Sequence, residues 1–216
     1  MAVEMRRHTI SRAACVLFVL AVCAPAGRAD ERPYGVERQA DVMVPMRDGV
    51  SLATDVYLPA RGGKELAGKW PTILSRTPYS KSRPQRDNAP KSLGEYAVIG
   101  EYFAGHGYAV VIQDTRGRYR SEGVWHMLTD DGRDGVDTCA WIGKQPWSNG
   151  KVGMIGTSYV GGTQHALAME RPPELTTVIP VDAMSNLGYA GMRNGGAFEL
   201  RFWNWIFSIA GPQGSR

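Results

Sequence analysis

The run Val-Gly-Met-Ile-Gly-Thr-Ser-Tyr-Val-Gly-Gly at residues 152–162 does most to limit what this chain can fold into. An apolar stretch ends at Gly156, Ser158 follows, and a helix-compatible stretch begins at once. A chain that leaves a strand and enters a helix so abruptly passes through a strained turn. Small residues are needed where the backbone there approaches itself. The turn drives its central side chain, here a hydroxyl, out beyond the sheet. Gly156 lies two positions before Ser158, as this geometry requires. The glycine commonly found two positions after the serine is missing: Val160 stands there, and the glycines come at 161 and 162. Matched on one side only, the pattern is weak alone, and its context has to carry it.

The first 29 residues differ from the rest. Arg6, Arg7 and Arg12 form a basic start, 13–24 is a short apolar run, and Ala24, Ala26, Gly27 and Ala29 supply small residues for cleavage. This is the pattern of a secretory signal, too short for a comfortable membrane span. Cleavage is expected after Ala26 or Ala29. Arg6-Arg7 raises a twin-arginine route, and Leu20-Ala21-Val22-Cys23 a lipoprotein alternative for which Val22 is bulky. Export to the periplasm or medium is therefore expected. Removing the segment takes away Arg6, Arg7, Arg12 and Arg28 against Glu4 and leaves the remainder about neutral. The sequence pI of about 9.0 thus gives no reason to expect a nucleic-acid partner. Cys15 and Cys23 leave with the signal, so Cys139 cannot form an internal disulfide. Beside Trp141 and Ile142 on a helical pattern, it reads as a small buried apolar residue.

The remainder suits one domain with a real core. Residues 41–45 and 51–58 read as strands joined at the Arg47-Asp48-Gly49 turn. Buried strands are expected at 71–75, 108–113, 152–155 and 177–181, and loops at 62–64 and 83–90. Helices are expected at 93–104, from a Thr129-Asp130-Asp131 cap to about 144, and at 159–170 before Pro172-Pro173. Strands alternating with helices imply a mostly parallel sheet with helices on both faces. After Asp182 the texture changes: 186–196 is rich in Gly and Asn, and 198–209 is dense in aromatic residues. That is the expected start of an inserted helical cap. The segments are then 1–29, signal; 30–185, the α/β body, which the resemblance described next makes the amino-terminal part of an α/β-hydrolase domain; and 186–216, the start of the cap.

Four stretches point further. They are Val44-Pro45-Met46-Arg47-Asp48-Gly49-Val50 with Asp55-Val56-Tyr57; Arg76-Thr77-Pro78-Tyr79; Asp114-Thr115-Arg116-Gly117-Arg118-Tyr119-Arg120-Ser121-Glu122-Gly123; and Gln145-Pro146-Trp147-Ser148-Asn149-Gly150-Lys151-Val152-Gly153 leading into Gly156-Thr157-Ser158-Tyr159. With them the chain resembles the X-Pro dipeptidyl-peptidase-like serine hydrolases, the group containing bacterial cocaine esterase and the α-amino-acid ester hydrolases. The resemblance spans about residues 38–205. In that group the turn reads Gly-x-Ser-Tyr-x-Gly, which Val160 and Gly161 obey.

The resemblance implies the α/β-hydrolase fold, truncated here at the start of its cap, and Ser158 as the acyl-forming nucleophile. It implies that the Tyr159 backbone amide and the Tyr79 hydroxyl donate to the oxyanion. An ordinary half-buried tyrosine is the alternative for Tyr79. Asp114 and Arg116 are expected to form a structural ion pair that fixes their loop. Serine chemistry of this kind calls for no cofactor and no metal. The expected partner is a small ester or a short peptide. Val160 replaces the glutamate that amino-ester hydrolases of the group tend to carry near the turn, so simple acyl or aryl esters are expected to be preferred.

A serine also needs a base. His8 is in the signal, His106 precedes a strand, and His165 is seven residues beyond Ser158, about 10 Å along a helix. His126 is on the correct side but off the family position. Asp182 ends a strand where some α/β-hydrolases place the acid. In the family the acid and histidine follow the cap, so the chain is expected to be the amino-terminal part of a longer enzyme. The alternative function is a non-catalytic remnant that binds a ligand or partner. Its last strand, near 178–181, and the residues Phe198, Phe202, Trp203, Trp205, Ile206 and Phe207 are expected to leave apolar surface that promotes self-association. A complete small domain whose aromatic tail folds back over the sheet is the competing picture.

Overall fold

The computed structural model describes residues 32–82, 95–183 and 192–210. The expected signal at 1–29 and the expected loop at 83–90 lie outside these residues, as do the first two positions of the helix expected at 93–104.

The chain starts with a hairpin. β1 (Gly35–Pro45) and β2 (Ser51–Arg61) pair antiparallel, each longer than the sequence indicates. Their turn closes through the Met46 amide on the Val50 carbonyl at 2.8 Å and the Gly49 amide on the Met46 carbonyl at 3.0 Å. The pairing register shifts between Gln39 and Val42, a bulge in which Asp41 takes φ 55°. A short β3 (Lys64–Glu65) returns beside β2.

Then β4 (Trp70–Thr77), β5 (Ala109–Asp114), β6 (Ser148–Thr157) and β7 (Leu175–Val181) form the parallel part. The order across the sheet is β1-β2-β5-β4-β6-β7, with β2 antiparallel to β5 and all later neighbours parallel. The helices α1 (Glu95–Gly105), α2 (Asp131–Gly143) and α3 (Tyr159–Glu170) connect the strands, and α4 (Arg201–Ala210) follows a two-residue hairpin of β8 (Arg193–Asn194) and β9 (Ala197–Phe198). This is the expected mostly parallel sheet with helices on both faces.

Alternation along the strands builds two cores. Val56, Leu58, Leu74, Val111, Val152 and Met154 face Cys139 and Ile142 of α2 and Leu167 of α3. Tyr57, Val110 and Ile112 face Tyr96, Ala97 and Ala104 of α1. Each fully buried aliphatic side chain is worth about 1.5–3 kcal/mol. Cys139 is fully buried, and burial pushes its thiol up to about 12, as the reading of an inert cysteine requires.

Two local expectations are corrected. Asp130 stands at the N-cap of α2 but makes no side-chain cap bond; its carboxylate faces His126 instead. Asp131 and Asp134 stand in the first turn of α2 and face Arg76. Arg116 pairs with Asp134 at 2.6 Å and Asp48 at 2.8 Å, not with Asp114. Asp114 is buried and accepts the Lys81 amide at 2.7 Å.

Among the described residues β7 ends the sheet, with Ile179 and Val181 exposed. On α4, Trp203 and Phe207 are exposed. Trp205 is not left outside as expected: its ring stacks over Tyr159 at 6.3 Å.

Candidate active site

Ser158 sits between β6 and α3 with φ 59° and ψ −120°, a conformation costly for any residue with a side chain. The turn is held on both sides. The Ser158 amide donates to the Val181 carbonyl of β7 at 2.9 Å, and the Ser158 carbonyl accepts the Gly161 and Gly162 amides at 2.9 and 3.0 Å. The side chain is exposed at the carboxyl end of the parallel strands, where open α/β sheets carry their reactive groups.

The surrounding residue sizes now have causes. A Cβ on Gly156, at φ 158°, would run into the Val160 side chain. Val160 is buried in the α1-side core and fills the space Gly156 leaves. A Cβ on Gly161 would meet the Ala183 side chain. The close approach at this turn falls on Gly156 and Gly161, so the position of Val160 needs no glycine.

Tyr159 is fully buried directly after the serine. Its hydroxyl donates to Asp131 Oδ2 at 2.8 Å and accepts from the Leu128 amide at 2.9 Å and from Trp125 Nε1 at 3.1 Å. Burial, and then the charge of Asp131, raise its ionisation well above the ordinary phenol value. Burial likewise raises Asp131, opposed by the Arg76 guanidinium. Arg76 is itself fully buried and donates to Gln113 Oε1 at 2.8 Å and to the Asp131 carbonyl. A buried polar platform therefore lies beneath the turn.

Tyr79 follows β4, the strand adjacent to β6, as expected. It is half-buried, its amide donates to Thr77 Oγ1 at 3.0 Å, and its ring stands edge-on to Tyr159 at 6.4 Å. Tyr79 thus packs against the ring of Tyr159, the residue that follows Ser158. Among the described residues no histidine hydrogen-bonds Ser158. His126 is exposed with Nδ1 3.4 Å from Asp130; His106 bonds the Tyr102 carbonyl at 2.7 Å before β5 begins; His165 lies two turns along α3. Asp182 is exposed just after β7 with φ 44°.

A cavity of about 320 Å³ lies elsewhere, on the sheet face between Ile73, Phe103, Gly153, Ile155, Thr177 and Ile179. It is lined by none of Ser158, Tyr159 and Tyr79. Three residues with long-range partners near these elements gave no sequence signal of those contacts: Lys81, which binds Asp41 and Asp55, and Asp131 and Trp125, which bind the Tyr159 hydroxyl. Their partners lie 26 to 40 residues away.

A strained, exposed serine at the end of a parallel strand, with helices on both sheet faces, defines the class of α/β-hydrolases. Comparison with known proteins agrees. Residues 48–214 match the family described as X-Pro dipeptidyl-peptidase (S15 family). A cocaine esterase of Rhodococcus sp. (strain MB1 Bresler) is 40% identical over 148 residues, covering 68% of this chain and 24% of that protein. A putative Xaa-Pro dipeptidyl-peptidase of Bacillus anthracis is 32% identical over 111 residues, 44% of this chain and 18% of that one. A solved α-amino acid ester hydrolase superposes with a TM-score of 0.64 at 34% identity, covering 84% of this chain and 31% of that one. The chain belongs to the S15 family of X-Pro dipeptidyl-peptidase-like hydrolases. It spans about a quarter of the length of the curated relatives it matches first.

Proposed function

We propose that this chain carries the nucleophile and oxyanion site of an exported serine hydrolase that cleaves an ester or amide through an acyl-enzyme at Ser158. The observation that carries the reading is the φ of 59° at Ser158, strain retained at a turn that holds an exposed hydroxyl. Ser158 Oγ attacks the carbonyl, and its proton passes to a base. The developing oxyanion takes hydrogen bonds from the Tyr159 amide and the Tyr79 phenol. Collapse expels the alcohol or amine, and water then releases the acid. No described histidine hydrogen-bonds Ser158, and in this reading the base comes from outside the described residues.

Simple acyl or aryl esters are the favoured substrates. The relative named a cocaine esterase is more similar than the putative Xaa-Pro dipeptidyl-peptidase, 40% against 32% identity, and Val160 presents no carboxylate to a substrate ammonium. A higher kcat/KM for an Xaa-Pro nitroanilide than for a p-nitrophenyl ester would reverse this. Export rests on the leader pattern at 1–29, and amino-terminal sequencing of the mature chain tests it.

The placement of His106, His126 and His165 away from Ser158 favours a second reading, a non-catalytic binding remnant. A fluorophosphonate probe separates the two. Labelling that maps to Ser158 and vanishes in Ser158→Ala supports the hydrolase. An unlabelled, folded chain supports the remnant.

A further inference from the structure

Residues 77–82, which leave β4 and carry Tyr79, are fastened at almost every step. Thr77 Oγ1 takes the Tyr79 amide, Arg118 Nε donates to the Pro78 carbonyl at 3.1 Å, and Asp114 Oδ1 accepts the Lys81 amide at 2.7 Å. The Lys81 side chain then turns inward. It is 2% exposed, and its ammonium donates to Asp41 Oδ1 at 2.6 Å and Asp55 Oδ1 at 2.8 Å. Asp55 is fully buried and is also bound by Arg38 at 2.7 Å. This arrangement ties the turn after β4 to the β1–β2 hairpin on the far side of β5.

Two residues around this clamp hold backbone conformations that side chains disfavour. Asp41 has φ 55° within the β1 bulge, and Ser80, directly before Lys81, has φ 79°. Such strain persists only where the surroundings over-determine it. A buried lysine is costly as well, because its ammonium leaves water, and a buried ion pair adds little stability over apolar packing. Its best-attested use is to specify one geometry. Here the segment so specified bears Tyr79.

We propose that Lys81 is a positioning residue: its ammonium, held between Asp41 and Asp55, locks the 77–82 turn so that the Tyr79 phenol stays at the oxyanion position beside the Tyr159 amide. The inference rests on the reading of Tyr79 as an oxyanion donor. Lys81 itself touches no substrate. It acts through the backbone of its own turn, two residues from Tyr79.

Fluorine NMR of the full chain tests this, with a fluorinated tyrosine placed at Tyr79 and, as a control, at Tyr108. Lys81→Met keeps the length of the side chain and removes the ammonium. The Tyr79 resonance is expected to shift or split while that of Tyr108 stays in place. A single, unmoved Tyr79 resonance in a folded Lys81→Met chain overturns the proposal. If that variant does not fold, Asp41→Asn takes its place, since the Asp41 carboxylate is 34% exposed and its loss is milder. The same Tyr79 shift is expected, and an unmoved resonance is again decisive. In p-nitrophenyl acetate hydrolysis, Lys81→Met is expected to lower kcat about a hundredfold with little change in KM, as Tyr79→Phe does. The double variant is expected to be no slower than Tyr79→Phe alone. An unchanged kcat in Tyr79→Phe removes the oxyanion reading, and the NMR result then decides the clamp by itself.

Discussion

The phenol of Tyr159 donates to Asp131 at 2.8 Å directly below the turn that exposes Ser158. One residue thus joins two tasks. Its amide lies next to the serine, while its ring and hydroxyl are bolted to α2 and to the loop before it through Asp131, Leu128 and Trp125. The geometry of the turn is inherited from this buried platform.

Tyr159→Phe strips one buried and two half-buried partners of one hydroxyl. Leaving such groups unsatisfied costs about 1–3 kcal/mol each, offset in part by relaxation and water. We expect the urea midpoint to fall by an amount equivalent to about 2–3 kcal/mol with the slope unchanged. A loss below about 0.5 kcal/mol would mean that the platform does not hold the turn.

Gly156→Ala places a methyl group against Val160. Overpacking and the positive φ together are expected to cost about 2–4 kcal/mol. Val160→Ala in the same chain opens the space and should recover about 1 kcal/mol or more, a coupling read from a double-mutant denaturation cycle. Strict additivity would show that backbone strain alone, not the Val160 contact, sets the need for glycine.

Asp114 gives a pH dependence. Burial raises its carboxyl to about 6, against the pull of the Lys81 amide and ammonium and the Arg120 amide. A folded value above the unfolded one contributes stability that is full below about pH 4 and lost as pH rises through about 6. The loss is on the order of 2–3 kcal/mol. Other carboxyls, such as those of Asp55 and Asp137, are lowered and act in the opposite sense, so the comparison has to be with Asp114→Asn. Urea denaturation at pH 4 and pH 7 should show the wild-type chain losing more stability, relative to the variant, at pH 7. Parallel curves would refute it.

Ile179→Lys places a charge on the exposed, uncharged face of β7, the last strand of the sheet among the described residues. Charges on sheet edges oppose strand-to-strand association. Size-exclusion chromatography of residues 30–216 should show a smaller associated fraction for the variant. An unchanged profile would shift attention to the exposed Trp203 and Phe207 on α4.

Much of the fold was legible in the chain because its signals are local. Short apolar runs between Gly, Pro and Asp marked the strands of the parallel part, and the Arg47-Asp48-Gly49 turn marked the hairpin. Gly156, Ser158 and the glycines at 161 and 162 marked the turn. Tyr79 was legible only through the motif around it, since a tyrosine after a strand has no pattern of its own. The Asp114–Arg116 pair was misread because proximity in sequence does not say which way a side chain turns at the end of a strand. Asp131 was read as a helix-start acid for the same reason: its first-turn position is visible in the chain, but its burial against Arg76 is not.

By itself the sequence determined the order of elements, the serine turn and the family, because each rests on residues within a few positions of one another. Tertiary structure alone decided which charges are buried and paired: Arg76 with Asp131, Arg116 with Asp134, and Lys81 with Asp41 and Asp55. These pairs span 18 to 55 residues. A charge can be held out of water only where the fold brings its partner, and that meeting is a property of the packed sheet and helices rather than of any stretch of chain.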